Sequence, residues 1–202
     1  RDNRFYLAIC DCTGHGVPGA FMSLLNISFL NEAINEKNIV EPNRILNHVR
    51  DKLIHHISQD GAQDGMDAIL LCIEDSQENN SIKITYAAAN NSPLLIRDNK
   101  LSELPYDKMP VGKGEKMYPF SSQKLELKKG DSLYLYTDGY ADQFGGEKGK
   151  KLMYKQLNEM LLANSEKTME EQKNILDDSF EKWKGKLEQI DDVCIFGISI
   201  KN

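Results

Sequence analysis

Phe5-Tyr6-Leu7-Ala8-Ile9-Cys10, followed by Asp11-Cys12-Thr13-Gly14-His15-Gly16-Val17-Pro18-Gly19-Ala20, decides how the rest of the chain is read. Six apolar residues that run into a glycine-rich turn describe a central strand entering a loop. A helix is expected next. Pro18 suits its first position, and Phe21, Leu24, Leu25, Phe29, Leu30 and Ala33 recur at helical spacing on a broad apolar face. So broad a face predicts a helix that is largely buried, and no exposed apolar stripe that would demand a dimer is visible.

Moving outward, Glu41-Pro42 opens a second helix with Ile45, Leu46, Val49, Leu53, Ile54 and Ile57 on one face, broken at Asp60-Gly61. Short strands with polar turns follow: 68–74, 82–89, 93–96, 100–104, 123–127 and 132–137, an antiparallel meander. Two further helices are expected at 151–163 and 169–184, and a closing strand at 193–200. This order predicts an α+β fold in which an antiparallel β-sandwich is flanked by helix pairs.

The chain has 202 residues, enough for one domain with a sizeable core, and 28% of them are charged. Net charge is −6 with the basic residues dispersed, which argues against nucleic acid as a partner. The apolar runs, such as Ala68–Ile73, fall short of the ~20 residues needed to cross a bilayer, so no direct membrane contact is expected. Cys10, Cys12, Cys72 and Cys194 lie in apolar stretches without zinc or disulfide spacing and read as buried thiols of a reducing, cytoplasmic compartment. The chain opens Arg1-Asp2-Asn3-Arg4 and goes straight into a strand, which suggests that an upstream segment is missing.

Three acidic positions stand at the ends of apolar strands: Asp11, Asp138 and the pair Asp191-Asp192. A carboxylate at a buried strand end is costly unless a cation compensates it. Each has an ordinary explanation as a turn, a cap or a solvated strand entry. Together with the glycine-rich loop they fit better as hard oxygen ligands for Mg²⁺ or Mn²⁺.

These residues resemble a known family. Asp11-Cys12-Thr13-Gly14-His15-Gly16 is similar to the Asp-x-Ser/Thr-Gly-His-Gly signature of the SpoIIE branch of metal-dependent type 2C serine/threonine protein phosphatases. Leu135-Tyr136-Thr137-Asp138-Gly139 resembles that family's second metal motif and Asp191-Asp192-Val193 its last, in the same order. The resemblance spans essentially the whole chain and implies an α-β-β-α arrangement.

It implies further that Asp11 bridges two divalent ions, that the Cys12 carbonyl helps hold one, and that Asp138 and Asp191 complete the other, with Asp192 as second choice. Asp11, Asp138 and Asp191 would then be the catalytic set. His15 lies between proton donor and loop residue, and Gly14 and Gly16 are backbone requirements of a tight turn. Asp142 falls where a substrate-side loop would sit, Asp64-Gly65-Met66-Asp67 reads mainly as a turn into a strand, and His48, His55 and His56 read as helix-surface residues. The family's Gly-Gly-Asp motif has no counterpart before Arg4, so one ion position is expected to be incomplete and the N-terminal strand missing.

The implied reaction is hydrolysis of phosphoserine or phosphothreonine on a regulatory protein, for example an anti-sigma-factor antagonist, by water activated between two ions. The chain would be one catalytic domain, 1–202, from the C-terminal part of a larger cytoplasmic signalling protein with an upstream sensor or receiver domain, and tethering of the whole to a membrane stays open. Two alternatives remain: a phosphatase-fold binding module without turnover, and a hydrolase of small phosphate esters.

Overall fold

The computed structural model describes residues 3–14, 16–57, 64–74 and 81–200. The elements run in this order: β1 (Arg4–Cys12), α1 (Gly16–Asn31), α2 (Pro42–His56), β2 (Gly65–Glu74), β3 (Ile82–Ala89), β4 (Leu94–Arg97), β5 (Lys100–Glu103) and β6 (Val111–Gly112). Then come β7 (Gln123–Leu127), β8 (Ser132–Tyr136), α3 (Gly139–Asp142), β9 (Phe144–Gly145), β10 (Lys150–Lys151), α4 (Tyr154–Ala163), α5 (Met169–Lys184) and β11 (Ile195–Ser199). All strand pairings between these elements are antiparallel, and the mixture of helix and antiparallel sheet is the α+β class expected. The chain divides into two compact units, 1–92 with 105–127, and 93–104 with 128–202.

The first unit is a sheet in the order β1-β2-β3-β7, with β6 on β2, and one of its faces carries α1 and α2. The β2 strand is buried almost throughout, as its near-continuous apolar sequence requires. Met66, Ala68 and Leu70 from β2 and Ala87 and Ala89 from β3 meet Ile45, Leu46, Val49 and Leu53 of α2. Each fully buried Leu or Ile contributes on the order of 2 kcal/mol of transfer free energy. Pro42 stands at the start of α2, where a missing N–H costs nothing. α1 runs on into a π-helical turn, Glu32–Glu36, and Glu32 accepts Lys52 Nζ of α2 at 2.9 Å.

The second unit is a four-stranded sheet in the order β11-β8-β4-β5. Every residue of β8 is buried. Tyr134 and Tyr136 on that strand pack with Leu157 and Leu161 of α4 and Phe180 of α5. Buried phenols need partners. The Tyr134 hydroxyl donates to Gln172 Oε1 at 2.6 Å and the Tyr140 hydroxyl to the Leu176 carbonyl at 2.8 Å, and burial pushes the Tyr140 phenol up to about 12. α5 starts in a reciprocal cap: Thr168 Oγ1 accepts the Glu171 N–H, and the Glu171 carboxylate accepts the Thr168 N–H.

Several expectations are corrected. β1 is an edge strand of its sheet, with Phe5 61% exposed, because an apolar run reports covered faces rather than hydrogen-bonded neighbours on both sides. α1 buries Gly19, Met22, Asn26 and Leu30 but leaves its opposite face in solvent. The continuous helix Gly16–Glu36 is, by length and composition alone, long and apolar enough to cross a membrane. The third predicted helix starts at Tyr154 rather than 151, since Lys150 and Lys151 form half of a small hairpin with β9. Among the cysteines only Cys72 is buried; Cys10 and Cys12 are intermediate, Cys194 is exposed, and all four are free thiols.

Asp131, at the entry to β8, is almost fully buried and takes two bonds from the Arg97 guanidinium at 2.9 and 2.5 Å and one from the Lys128 N–H at 2.7 Å. Burial pushes its carboxyl up, but Arg97 and the Lys128 N–H outweigh that, and it lies below the ordinary carboxylate value. A depressed folded pKa stabilises the fold above the unfolded pKa, and the contribution is lost as pH falls through the folded one. Asp131→Asn is therefore expected to cost about 2 kcal/mol at pH 7, discounted for a guanidinium that is one-third exposed. In urea unfolding the gap to the native chain should shrink below about pH 4; a constant gap contradicts the assignment.

Candidate metal centre

In the first unit the signature loop leaves the end of β1. Gly14 and Gly16 have φ of +94° and +63°, the left-handed region that favours glycine. Thr13 anchors this loop to β2: its N–H donates to the Gly65 carbonyl at 3.0 Å, and its hydroxyl donates to that carbonyl at 3.1 Å and accepts the Gly65 N–H at 3.0 Å. His15 lies outside the described residues, as do Asp2 and Asp60-Gly61.

Register decides which way Asp11 faces. It stands directly opposite Asp67 of β2. Alternation along β1 puts Tyr6, Ala8, Cys10 and Cys12 against the helix-side core, so Asp11 belongs to the other face, and Asp67 likewise alternates with Met66 and Ala68. Like charges directly opposite each other destabilise a strand pair. Asn90 Nδ2 donates to Asp67 Oδ1 at 2.7 Å, and a cation would relieve the remaining repulsion. On the helix side, Asn26 is buried and donates to Cys12 Sγ at 3.2 Å. The Cys10 thiol is pushed up to about 12 by burial first, then by Cys12 and Asp11.

In the second unit Thr137 repeats the device of Thr13. Its N–H donates to the Cys194 carbonyl at 3.0 Å, while its hydroxyl donates to the Asp192 carbonyl and accepts the Cys194 N–H, both at 3.0 Å. The chain beyond Thr137 therefore runs beside the chain before Cys194. A Cβ on Gly139 would lie 2.4 Å from the Asp192 carbonyl oxygen and 3.3 Å from Asp191 Cβ, so only glycine lets the two motifs touch. Asp191 Oδ1 accepts the Asp192 N–H at 2.8 Å.

Both Asp191 and Asp192 are exposed, in contrast to the buried strand end expected, because β11 begins only at Ile195 and the acids occupy the turn before it. Asp138 is half-buried at the entry to α3. Asp142, one turn on, donates its N–H to the Asp138 carbonyl and pairs with Lys151 Nζ at 2.7 Å.

Sequence reasoning passed over Gln143 and gave Thr13, Thr137 and Asp67 no role beyond their place in the quoted motifs and turn. Gln143 is fully buried; its Nε2 donates to the Phe144 carbonyl at 3.0 Å and the Glu188 carbonyl at 2.9 Å, tethering the segment that leads to Asp191. Strand register or long-range hydrogen bonding gives each its meaning, and neither is visible in spacing. Among the described residues no three His, Cys, Asp or Glu side chains form a ligand cluster. The acids come as Asp11 facing Asp67 and as Asp138 one residue before Gly139, which lies against Asp191-Asp192. Their donors are hard carboxylate oxygens, and this chemistry fits Mg²⁺ or Mn²⁺.

The sequence model of the family described as Stage II sporulation protein E (SpoIIE) matches residues 1–201. No curated protein matches the sequence. The fold is similar to the SiaA-PP2C domain of Pseudomonas aeruginosa, with TM-score 0.82 and 25% identity over 98% of this chain and 80% of that one. It is similar to the RsbU and RsbW domains of Rv1364c from Mycobacterium tuberculosis, with TM-score 0.70 and 21% identity over 98% of this chain and 52% of that one. The PP2C phosphatase domain and regulatory-domain fragment of SpoIIE from Bacillus subtilis give TM-score 0.69 and 18% identity, over 98% and 55%.

Gly139→Ala tests the contact between the two motifs. Its Cβ meets backbone, which cannot swing aside, so a loss of about 1–3 kcal/mol is expected in urea unfolding. An unchanged midpoint would show that the two stretches are not in contact.

Proposed function

Since the chain belongs to the SpoIIE family of type 2C phosphatases, we propose that it hydrolyses phosphoserine or phosphothreonine on a regulatory protein, such as an anti-sigma-factor antagonist. The observation that carries the reading is the approach of Gly139 to Asp191-Asp192, which sets the second and third motifs of the family side by side. The RsbW domain and the regulatory-domain fragment that accompany the phosphatase domains of two similar structures support a regulatory partner domain, and a cytoplasmic location is proposed from the cysteine usage.

The residues that would hold Mg²⁺ or Mn²⁺ are Asp138 and Asp191, with Asp11 and the Cys12 carbonyl assigned to the ions by their motif. When bound, the ions supply a lowered pKa for the attacking water and positive charge against the phosphoryl oxygens. Asp191 is preferred to Asp192 because its Cβ lies toward Gly139, 3.3 Å from where a Gly139 Cβ would stand. Thr137 and Gln143 position these carboxylates through backbone atoms. Exposure of Asp191 and Asp192 suits a bulky protein substrate better than a small ester that needs enclosure. The Lys151 ammonium on Asp142 brings one cation near the motif in a chain of net charge −6.

Mn²⁺-dependent release of phosphate from a phosphoserine peptide tests the proposal. Asp138→Asn and Asp191→Asn are expected to lower the rate at least ~100-fold, and Asp192→Asn less than ~10-fold. Phosphopeptide binding without turnover, unaffected by Mn²⁺, would overturn it in favour of a non-catalytic module.

A further inference from the structure

The tip of the β9–β10 hairpin and the C-terminal end of α5 concentrate positive charge in an acidic chain. Glu147-Lys148-Gly149-Lys150-Lys151 has three lysines against one glutamate, and Glu181-Lys182-Trp183-Lys184-Gly185-Lys186-Leu187-Glu188 has three against two, where the whole chain carries −6. The fold brings the two stretches together: the Gly146 N–H donates to the Trp183 carbonyl at 2.8 Å, and a Cβ on Gly146 would lie 2.9 Å from the Trp183 ring. A groove of about 670 Å³ runs between them. Leu152, Met160 and Trp183 form its apolar floor, and Lys182, Lys186 and Glu147 stand exposed at its rim. Lys151 is paired with Asp142 and Lys184 with Glu181, whereas Lys148, Lys150, Lys182 and Lys186 have no carboxylate partner among the described residues. The carbonyl end of α5 attracts cations and accounts for Lys182 and Lys184, but not for Lys186 beyond the helix or for the hairpin lysines.

We propose that this groove docks an acidic stretch of the phosphoprotein substrate, one that flanks the phosphorylated residue and carries an apolar anchor for the Trp183 floor. The inference rests on the phosphatase reading above. Position selects the occupant. Gln143 ties together the two segments that line the groove: its chain continues to Gly146, while its side chain holds the Glu188 carbonyl and the Ile190 N–H beyond Leu187. From Leu187, at the groove, to Asp191 is four residues, a span of at most about 14 Å. A peptide whose phosphate lies at Asp138 and Asp191 therefore reaches the groove with a residue about four to eight places away. Leu187 and Ile190, on that path, are 48% and 53% exposed and offer it apolar contact. Charge complementarity does the rest, since a chain of net charge −6 repels acidic peptides except where lysines are in excess.

The groove is built before a peptide arrives. The Trp183 indole N–H donates to the Gln143 carbonyl at 3.0 Å and Gly146, at φ +65°, lies against the ring, so binding has little wall to order. Exposed ion pairs are individually weak and screened by salt, and four lysines together raise affinity roughly 10- to 100-fold at low ionic strength.

Trp183 is the single tryptophan of the chain, so its fluorescence reports occupation of the groove without turnover or metal. The probe is a phosphate-free peptide with four glutamates and one leucine, and its control has glutamine for each glutamate. At about 50 mM salt the acidic peptide is expected to give a saturable change. Binding should weaken at least ~10-fold for the control peptide, for the Lys182→Ser, Lys186→Ser double variant and in about 0.5 M NaCl, with the circular-dichroism melting curve unmoved. No saturable change, or binding that ignores the glutamates, the lysines or the salt, would overturn the proposal. Tighter binding of a DNA oligonucleotide or of phosphatidylglycerol vesicles would overturn it too. Phosphoserine forms of the two peptides separate this inference from the reading beneath it: with Mn²⁺, the acidic one should show a KM at least ~10-fold lower at similar kcat. Equal kcat/KM for both peptides would overturn the docking site and leave the phosphatase standing. Binding of the acidic peptide with no phosphate released would overturn the phosphatase and leave the groove as an acidic-peptide site.

Discussion

A single threonine hydroxyl that donates and accepts at once closes the working end of each sheet. Thr137 takes the Cys194 N–H and gives to the Asp192 carbonyl; Thr13 takes the Gly65 N–H and gives to the Gly65 carbonyl. A hydroxyl with both capacities used is stiff, because rotation loses one bond whichever way it turns, and Thr137 is also buried. The consequence is chemical as well as structural. Backbone position is held by hydroxyl and peptide groups, so the neighbouring carboxylates are not needed to hold the chain.

The clamps work because they sit on strands that cannot move. β2 and β8 are largely or wholly buried, and a clamp at the end of either inherits the rigidity of the packed core. Gln143 extends this to a segment without regular structure, holding Glu188 and Ile190 through one side-chain amide. The Trp183 indole N–H donates to the Gln143 carbonyl at 3.0 Å, so α5 braces the same point. Residues that bind a substrate need this kind of support, since a loose carboxylate loses most of its value as a ligand.

Much of this was legible in the sequence, for identifiable reasons. Strands buried on both faces, such as β2, betray themselves by unbroken apolar runs; α2 and α5 carry Pro42 and the Thr168/Glu171 pair at their starts. The motif acids could be singled out because they interrupt apolar stretches. What escaped depends on distant partners. Lys150 and Lys151 pair with Gly145 and Phe144, and Gly145 in turn lies against the Trp183 carbonyl, where a Cβ would come within 1.9 Å; nothing near the lysines in sequence announces either. Asp67 acquires its meaning from a register with Asp11 that spans 56 positions. Asp191 and Asp192 were expected to be buried because Val193 and Cys194 are apolar, yet both acids belong to the exposed turn.

The first helix shows the same limit from the other side. Periodicity counts apolar positions around a helix; it does not say which of them a neighbour will cover. In α1 they run all the way round, and the sheet takes one face only, through Met22, Asn26 and Leu30. α2, in the same layer, separates its faces and keeps its charges outward. The two faces of the first unit therefore differ in kind. On one, Asp11 and Asp67 concentrate negative charge that invites a cation; on the other, the helix following directly from the same loop excludes charge altogether. A chain with 56 charged residues among 202 thus leaves the solvent face of a 16-residue helix without any, which no count of apolar positions along the sequence could foretell.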